Sequence, residues 1–240
     1  MTPVIAIFGA GPGLGTALAR RFAKEGYRVA LVARNSTKLA TLASDLTAEG
    51  IEAAAFPHDL STPSNGRAAT NAILAHYGRI DVVSYQPLPA GTAFTPATTL
   101  TAENLTPLTN LFFLTPVEVA ATVVPTMVTR GSGSFIVTGG FTAADPQPFI
   151  SGIGPAMAAI RNYIHSLHGE IATAGVHAGV VTLAALIKHS ESYNAITPTQ
   201  LAEITGGTTG LTVLDPDDLA ETYWQLHTTR AQLEYRYPTT

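Results

Sequence analysis

The residues able to do chemistry begin at Gly9, where Phe8-Gly9-Ala10-Gly11-Pro12-Gly13-Leu14-Gly15 closes an apolar run from Val4. Glycines let a backbone turn tightly and approach a diphosphate, whose charge the free amides at a helix start then hold. The spacing of Gly9, Gly13 and Gly15 is G-x-x-x-G-x-G, not G-x-G-x-x-G. A second group, Ala33-Arg34-Asn35-Ser36, ends the next apolar run, where the adenosine ribose lies in sites of this kind. A guanidinium grips a 2′-phosphate bidentately, whereas a carboxylate there would repel it, so Arg34 favours NADP(H) over NAD(H). The bland alternative is a solvated charge ahead of a helix capped by Ser36. Asp59 can accept from an adenine amino group or form an Asx-type turn before Pro63, and the two roles are compatible.

These groups need a scaffold, and the pattern supplies one. Val4 to Phe8 reads as a buried parallel strand, and Leu14, Leu18 and Phe22 recur at helical spacing behind it. Strands follow at Arg28–Ala33, Ile51–Phe56, Ile80–Ser84, Phe135–Thr138 and Val176–Leu183, with an edge strand at Gln232–Tyr237. Helices are expected from Ser36 to about Glu49, Pro63 to Tyr77, through Leu108–Thr129 with kinks at its prolines, over Ala156–Ile171, and from Pro216 to Thr228. Strands alternating with helices make an α/β fold: a doubly wound parallel sheet of about seven strands, helices on both faces. Ligands in such sheets bind beyond the carboxyl ends of the strands. Leu14, Asn35, Ser36, Leu60, Tyr85, Gln86 and Leu186 should therefore join Gly9, Gly11, Gly13, Gly15, Arg34 and Asp59 around one cofactor cleft.

Composition sets the outer limits. The 240 residues carry no linker or charge run, which reads as one domain, 1–240, with a mobile flap at about 184–210. Zero cysteines exclude disulfides, thiolate metal sites and a cysteine nucleophile. With 12% charged residues and a net charge of −4 there is no basic patch for nucleic acid or an anionic membrane. The apolar stretch Leu108–Val128 is broken by Asn110, Pro116, Glu118 and Pro125, so it reads as an interface helix and not a membrane span. A cytoplasmic location is expected. His165 and His168 read as surface residues without a third ligand, so no metal site is expected.

Gly9-x-x-x-Gly13-x-Gly15, Ala33-Arg34, Asp59-Leu60, Ile80-Asp81-Val82-Val83 and the long helix after the fifth strand resemble the short-chain dehydrogenase/reductases over almost the whole chain. The resemblance implies a Rossmann-type fold, a nicotinamide cofactor, a small-molecule substrate, a homodimer or homotetramer, and an Asn-Ser-Tyr-Lys catalytic group. Asn110 matches the family's Asn, with slightly altered spacing. Gly140 stands at the Ser position, Ile153 at the Tyr and Met157 at the Lys. Tyr85-Gln86-Pro87-Leu88 replaces Asn-Asn-Ala-Gly, and Leu183-Ala184 replaces Pro-Gly. Neither Ile nor Met can protonate an alkoxide. The expected activity is therefore an atypical oxidoreductase acting on an activated C=N, C=C or carbonyl substrate, with Tyr85, Asp145, Lys188 or Tyr193 as candidate proton donor and Thr138, Thr142, Ser151 and His189 as further candidates. The alternatives are a non-redox cyclase or isomerase and an NADP-sensing binding protein on the same fold.

Overall fold

The computed structural model describes residues 1–89, 95–197 and 212–238. Among them the strands are β1 (Val4–Phe8), β2 (Arg28–Ala33), β3 (Ala53–Pro57), β4 (Val82–Tyr85), β5 (Gly133–Gly140), β6 (Val176–Leu183), β7 (Ala185–Ile187), β8 (Thr212–Leu214) and β9 (Glu234–Tyr237). The helices are α1 (Leu14–Ala23), α2 (Ser36–Ala48), α3 (Pro63–Tyr77), α4 (Ala102–Thr109), α5 (Thr115–Arg130), α6 (Ile153–Ile171), α7 (Glu191–Asn194) and α8 (Pro216–Thr229). Seven strands form one parallel sheet in the order β3-β2-β1-β4-β5-β6-β9. Each strand shows alternate residues to opposite faces. In β1, Val4, Ala6 and Phe8 join a core with Ile73 of α3, Val123 of α5 and Ile160 of α6. Ile5 and Ile7 join a second core with Leu18 of α1, Leu39 of α2 and Leu219 of α8. Both faces are covered, which is why the strands read as unbroken apolar runs.

Three local features depart from the sequence reading. The cap of α2 is Asn35, whose side chain accepts from the Lys38 amide, so Ser36 is the first helical residue and not the cap. Between α4 and α5 the chain makes a π-turn, Asn110–Leu114, with the Thr115 amide donating to the Asn110 carbonyl. Pro116 follows and has no N–H to give, so the Leu111 carbonyl is left open for another donor. Finally, β7 pairs in parallel with β8, Leu186 opposite Val213, as a small second sheet at the start of the segment expected to be a flap. The rest of that segment, 198–211, lies outside the described residues. The run Ala102–Arg130 is long and apolar enough to cross a membrane by length and composition, and half of its most apolar window is buried in this fold.

The far end of α1 is set in aromatic rings. Phe22 meets Tyr27 and Trp224 edge to face, each at 5.3 Å, and Arg21 lies 4.6 Å over the Trp224 ring. His227 completes the cluster, its Nε2 2.8 Å from the Tyr27 hydroxyl and its Nδ1 2.8 Å from Ser134 Oγ. Nearby, His177 is buried in β6 with neither ring nitrogen hydrogen-bonded among the described residues. Its ring packs edge to face on His168, which is not a free surface residue, since its Nδ1 sits 3.0 Å from the Ala178 carbonyl. At the sheet edge Glu234 receives three bonds from Arg161, one from the Thr182 hydroxyl and one from Arg236.

Burial, with His168 and Arg230 nearby, lowers His177 to about 4, and burial, with Arg230, lowers His227 to about 4. Both rings are neutral in the fold but titrate near 6.5 in the unfolded chain, so unfolding takes up protons as pH falls. Stability is therefore complete above about pH 6.5 and declines toward pH 4, by something on the order of 3 kcal/mol per ring. Glu234, held at about 2 by Arg161 and Thr182 against the cost of burial, extends the decline below its ordinary range. Thermal melts between pH 7.5 and 4.5 should show the wild type losing midpoint steadily. His177→Leu should give a flatter curve over the same interval; an equal slope would remove His177 as a cause.

Candidate active site

The glycine turn is shaped by contacts that exclude side chains. Gly9 adopts φ +89°, and a Cβ there would lie 2.6 Å from the Pro87 backbone in the loop after β4. The Gly9 and Ala10 amides both donate to the Val32 carbonyl, and the Gln86 amide donates to Phe8, locking the turn onto β2 and β4. Gly13 starts α1 with no side-chain cap, and a Cβ on it would lie 3.0 Å from the Ser190 amide and 3.1 Å from the Lys188 carbonyl. A Cβ on Gly15 would lie 3.0 Å from Ala10 Cα. Gly11 faces open space. The result is a backbone cradle open at Gly11, with no side chain capping α1, although the Thr16 amide is taken by the Gly11 carbonyl at 3.0 Å; such a form suits a diphosphate.

Arg34 is exposed at the end of β2 and makes no ion pair or hydrogen bond among the described residues. Asp59 Oδ1 accepts from the Ser61 amide at 3.0 Å, the Asx-type turn, and that bond, with the charge of Arg34 as a smaller contribution, holds the carboxylate below its ordinary range. Leu14 and Leu60 are buried, and the Leu60 carbonyl accepts from the Thr115 hydroxyl at 2.8 Å. Leu186 is half-buried in β7. The strap after it is tied at both ends: Lys188 lies 3.6 Å from Asp215, and Glu191 pairs with Lys38 of α2 at 2.6 Å.

Tyr85 does not face the cleft. Its phenol is buried and donates at 2.5 Å to the Leu111 carbonyl that Pro116 leaves open. Burial raises its pKa well above the ordinary range, so it is a structural donor and not a proton source. Where the cleft deepens, the Gly140 amide donates to Met157 Sδ at 3.0 Å, and a Cβ on Gly140 would lie 3.2 Å from that sulfur. Ile153 and Met157 are buried one turn apart on α6, and Thr142 is buried close to Gly140 and Gly154. Asp145 lies 3.8 Å from Arg236, and the Tyr193 amide is taken by Ser190 Oγ. The Ser151 amide donates to Thr95, and Asn110 sits at the junction of α4 and the π-turn. His189 takes φ +63° beside Ser190. Sequence reasoning missed the role of Tyr223, whose hydroxyl bonds to Thr138 beneath the cleft. The signal available was an apolar helix carrying one phenol on its buried face.

The profile of the short chain dehydrogenase family matches residues 3–192. The chain belongs to that family. A short chain dehydrogenase of Pseudocercospora fijiensis is 27% identical over 173 residues, a match that covers 71% of this chain and 55% of that protein. The dehydrogenase/reductase SDR family member 7B of Danio rerio is 27% identical over 230 residues, 91% of this chain and 72% of the relative. Among solved structures, a metagenomic short-chain oxidoreductase in complex with NADP superposes with a TM-score of 0.78 at 22% identity, covering 99% and 98% of the two chains. A short-chain dehydrogenase from Sphingobium yanoikuyae in complex with NADPH gives 0.77 at 26%, covering 98% and 88%. As a short chain dehydrogenase fold, the chain has its cleft at the carboxyl ends of β1 and β4, the neighbouring strands from which the chain winds in opposite directions.

The first two glycines of the turn should respond differently to a methyl group. Gly9→Ala adds strain at positive φ and a 2.6 Å backbone contact, so it should cost about 2–4 kcal/mol in denaturant unfolding. Gly11→Ala meets open space and should stay within about 0.5 kcal/mol of wild type. Comparable losses at both positions would contradict the packing described.

Proposed function

We propose that this protein is an NADP(H)-dependent short-chain oxidoreductase whose catalytic group is degenerate. The observation that carries the reading is the pairing of a backbone cradle at Gly9–Gly15 with an unpaired guanidinium, Arg34, at the end of β2. Gly9, Gly11, Gly13 and Gly15 leave room for a diphosphate, the first amides of α1 hold its charge, and Arg34 with Asn35 and Ser36 receives the 2′-phosphate. Asp59 keeps one carboxylate oxygen for the adenine amino group. When bound, NADPH supplies a hydride. The flanking family members complexed with NADP and NADPH support this choice of cofactor.

The proton is the harder half. Gly140, Ile153 and Met157 form an apolar floor without a transferable proton, and the Gly140 amide is already held by the Met157 sulfur. A positioned general acid is worth about 10²–10⁴ in rate, so an unactivated ketone would be reduced poorly here. A substrate that needs little acid help fits better: an iminium carbon, or a conjugated C=C that passes charge to a distant oxygen. The same floor also suits the second reading, a non-redox or NADP-sensing protein, which predicts bound nucleotide without turnover. The apolar surfaces of α5 and α6, with Leu114 and Val128 exposed, suit a homodimer or homotetramer. A cytoplasmic location completes the proposal.

NADPH should bind about 10–150-fold more tightly than NADH, the worth of one charge-assisted pair at Arg34. Fluorescence titration of wild type and Arg34→Asp reads this directly; equal affinities, or a preference unchanged in the variant, would remove the 2′-phosphate role. Simple ketones and aldehydes should turn over negligibly in the wild type, and Gly140→Ser, Ile153→Tyr, Met157→Lys together should create measurable carbonyl reduction. Efficient ketone reduction by the wild type would overturn the degenerate site.

A further inference from the structure

Seven buried residues among those described carry a serine or threonine hydroxyl, and six of the seven are satisfied inside the fold. Thr16, Thr70 and Thr115 donate to carbonyls, and Ser84, Ser134 and Thr182 bond to other side chains. Thr142 is the exception: its Oγ1 has no hydrogen-bond partner among the described residues. Nor is that oxygen sealed in, for the enclosed and unpaired side-chain atoms are nitrogens of Arg28, His165 and His177. Buried polar groups are paired as a rule, so a free donor that still has an opening points to a partner from outside the chain.

Thr142 stands just past the end of β5, and its Oγ1 lies 3.9 Å from where a Cβ on Gly140 would be and 3.4 Å from where a Cβ on Gly154 would be. The hydroxyl is therefore within reach of the point that a serine oxygen at position 140 would occupy, delivered from two residues further along the chain. The bare backbone of Gly154 lets α6 come this close to Thr142. The surroundings select the ligand atom. The Met157 sulfur lies 3.2 Å from where the Gly140 Cβ would be, and Asp145, the acid nearest in the chain, pairs with Arg236 at 3.8 Å. An iminium would bring a cation to this point without a counter-charge, whereas a neutral carbonyl oxygen needs only the donor that Thr142 has free. We propose that Thr142 is a catalytic residue whose hydroxyl donates to the carbonyl oxygen of a conjugated C=C substrate. Hydride added at the β-carbon moves the C=C pair toward the carbonyl and another pair onto its oxygen. Thr142 holds that charge without giving up its proton, and water then protonates the α-carbon, leaving hydroxide. This assignment rests on the oxidoreductase reading above and narrows its substrate to a neutral enone.

Thr142→Val keeps the shape of the side chain and removes the hydroxyl, and Thr142→Ser keeps the hydroxyl. With NADPH and cyclohexenone as the probe, Thr142→Val should lower kcat about 100-fold with KM little changed, Thr142→Ser should retain most of the rate, and NADPH affinity should stay the same in both. A second readout needs no turnover: the carbon NMR resonance of carbonyl-labelled cyclohexenone, recorded on the protein with and without NADP. It should move downfield with wild type and Thr142→Ser, and the shift should vanish with Thr142→Val. No shift with wild type, an equal shift with Thr142→Val, or a loss in Thr142→Ser as large as in Thr142→Val would overturn the hydroxyl's role. A wild type that shifts the carbonyl through Thr142 yet binds no NADPH would support the donor and overturn the oxidoreductase reading instead.

Discussion

Everything at the cleft depends on how closely two stretches of backbone approach each other. The turn after β1 and the loop after β4 meet at Gly9 and Pro87 with no space for a methyl group between them. β1 and β4 are paired neighbours as far as Phe8 and Tyr85, yet the chain leaves one toward β2 and enters the other from α3, the reversal of winding at which open α/β sheets bind ligands. The Val32 carbonyl, taking two amides from the turn, holds its third side. A dense junction of backbone starts α1 with no side-chain cap, and Arg34 stands exposed at the end of the neighbouring strand.

Beside that polar backbone geometry the floor is apolar in its chemistry. Where α6 meets β5 the contact is a sulfur accepting a backbone amide, a soft and weak bond in place of a polar group with a labile proton. The glycine turn keeps its close backbone packing, while Gly140, Ile153 and Met157 carry no labile side-chain proton. The two halves of the cleft are built from different elements. One is the α1 and α2 side of the sheet, the other the α6 side, so one can change without disturbing the other.

The fold was legible because its signals are local. The central strands of the large sheet, such as β1, β2 and β4, are short apolar runs, and α3 begins at Pro63 as its proline dictates. What escaped was set by residues distant in sequence. β4 is buried on both faces, so nothing in Val82-Val83-Ser84-Tyr85 tells which way Tyr85 points; Pro116, thirty residues on, decides it by freeing a carbonyl. The hydroxyl contact between Thr138 and Tyr223 joins residues 85 positions apart. β7 is three residues long and has meaning only beside β8. The glycine cradle was readable, whereas the strap over Gly13 was not, since the contact is backbone on backbone.

The aromatic cluster at the far end of α1 has a mechanical meaning. The helix is ten residues long, so about 15 Å separates the rings around Phe22 from the amides at Gly13. With Tyr27, Trp224 and His227 clamping that end, α1 is a rod with its heel fixed, and its tip cannot swing. A lever this short converts a one-ångström shift at the heel into a comparable displacement at the tip. The placement of the first turn of α1 is thus registered against a set of rings at the other end of the helix.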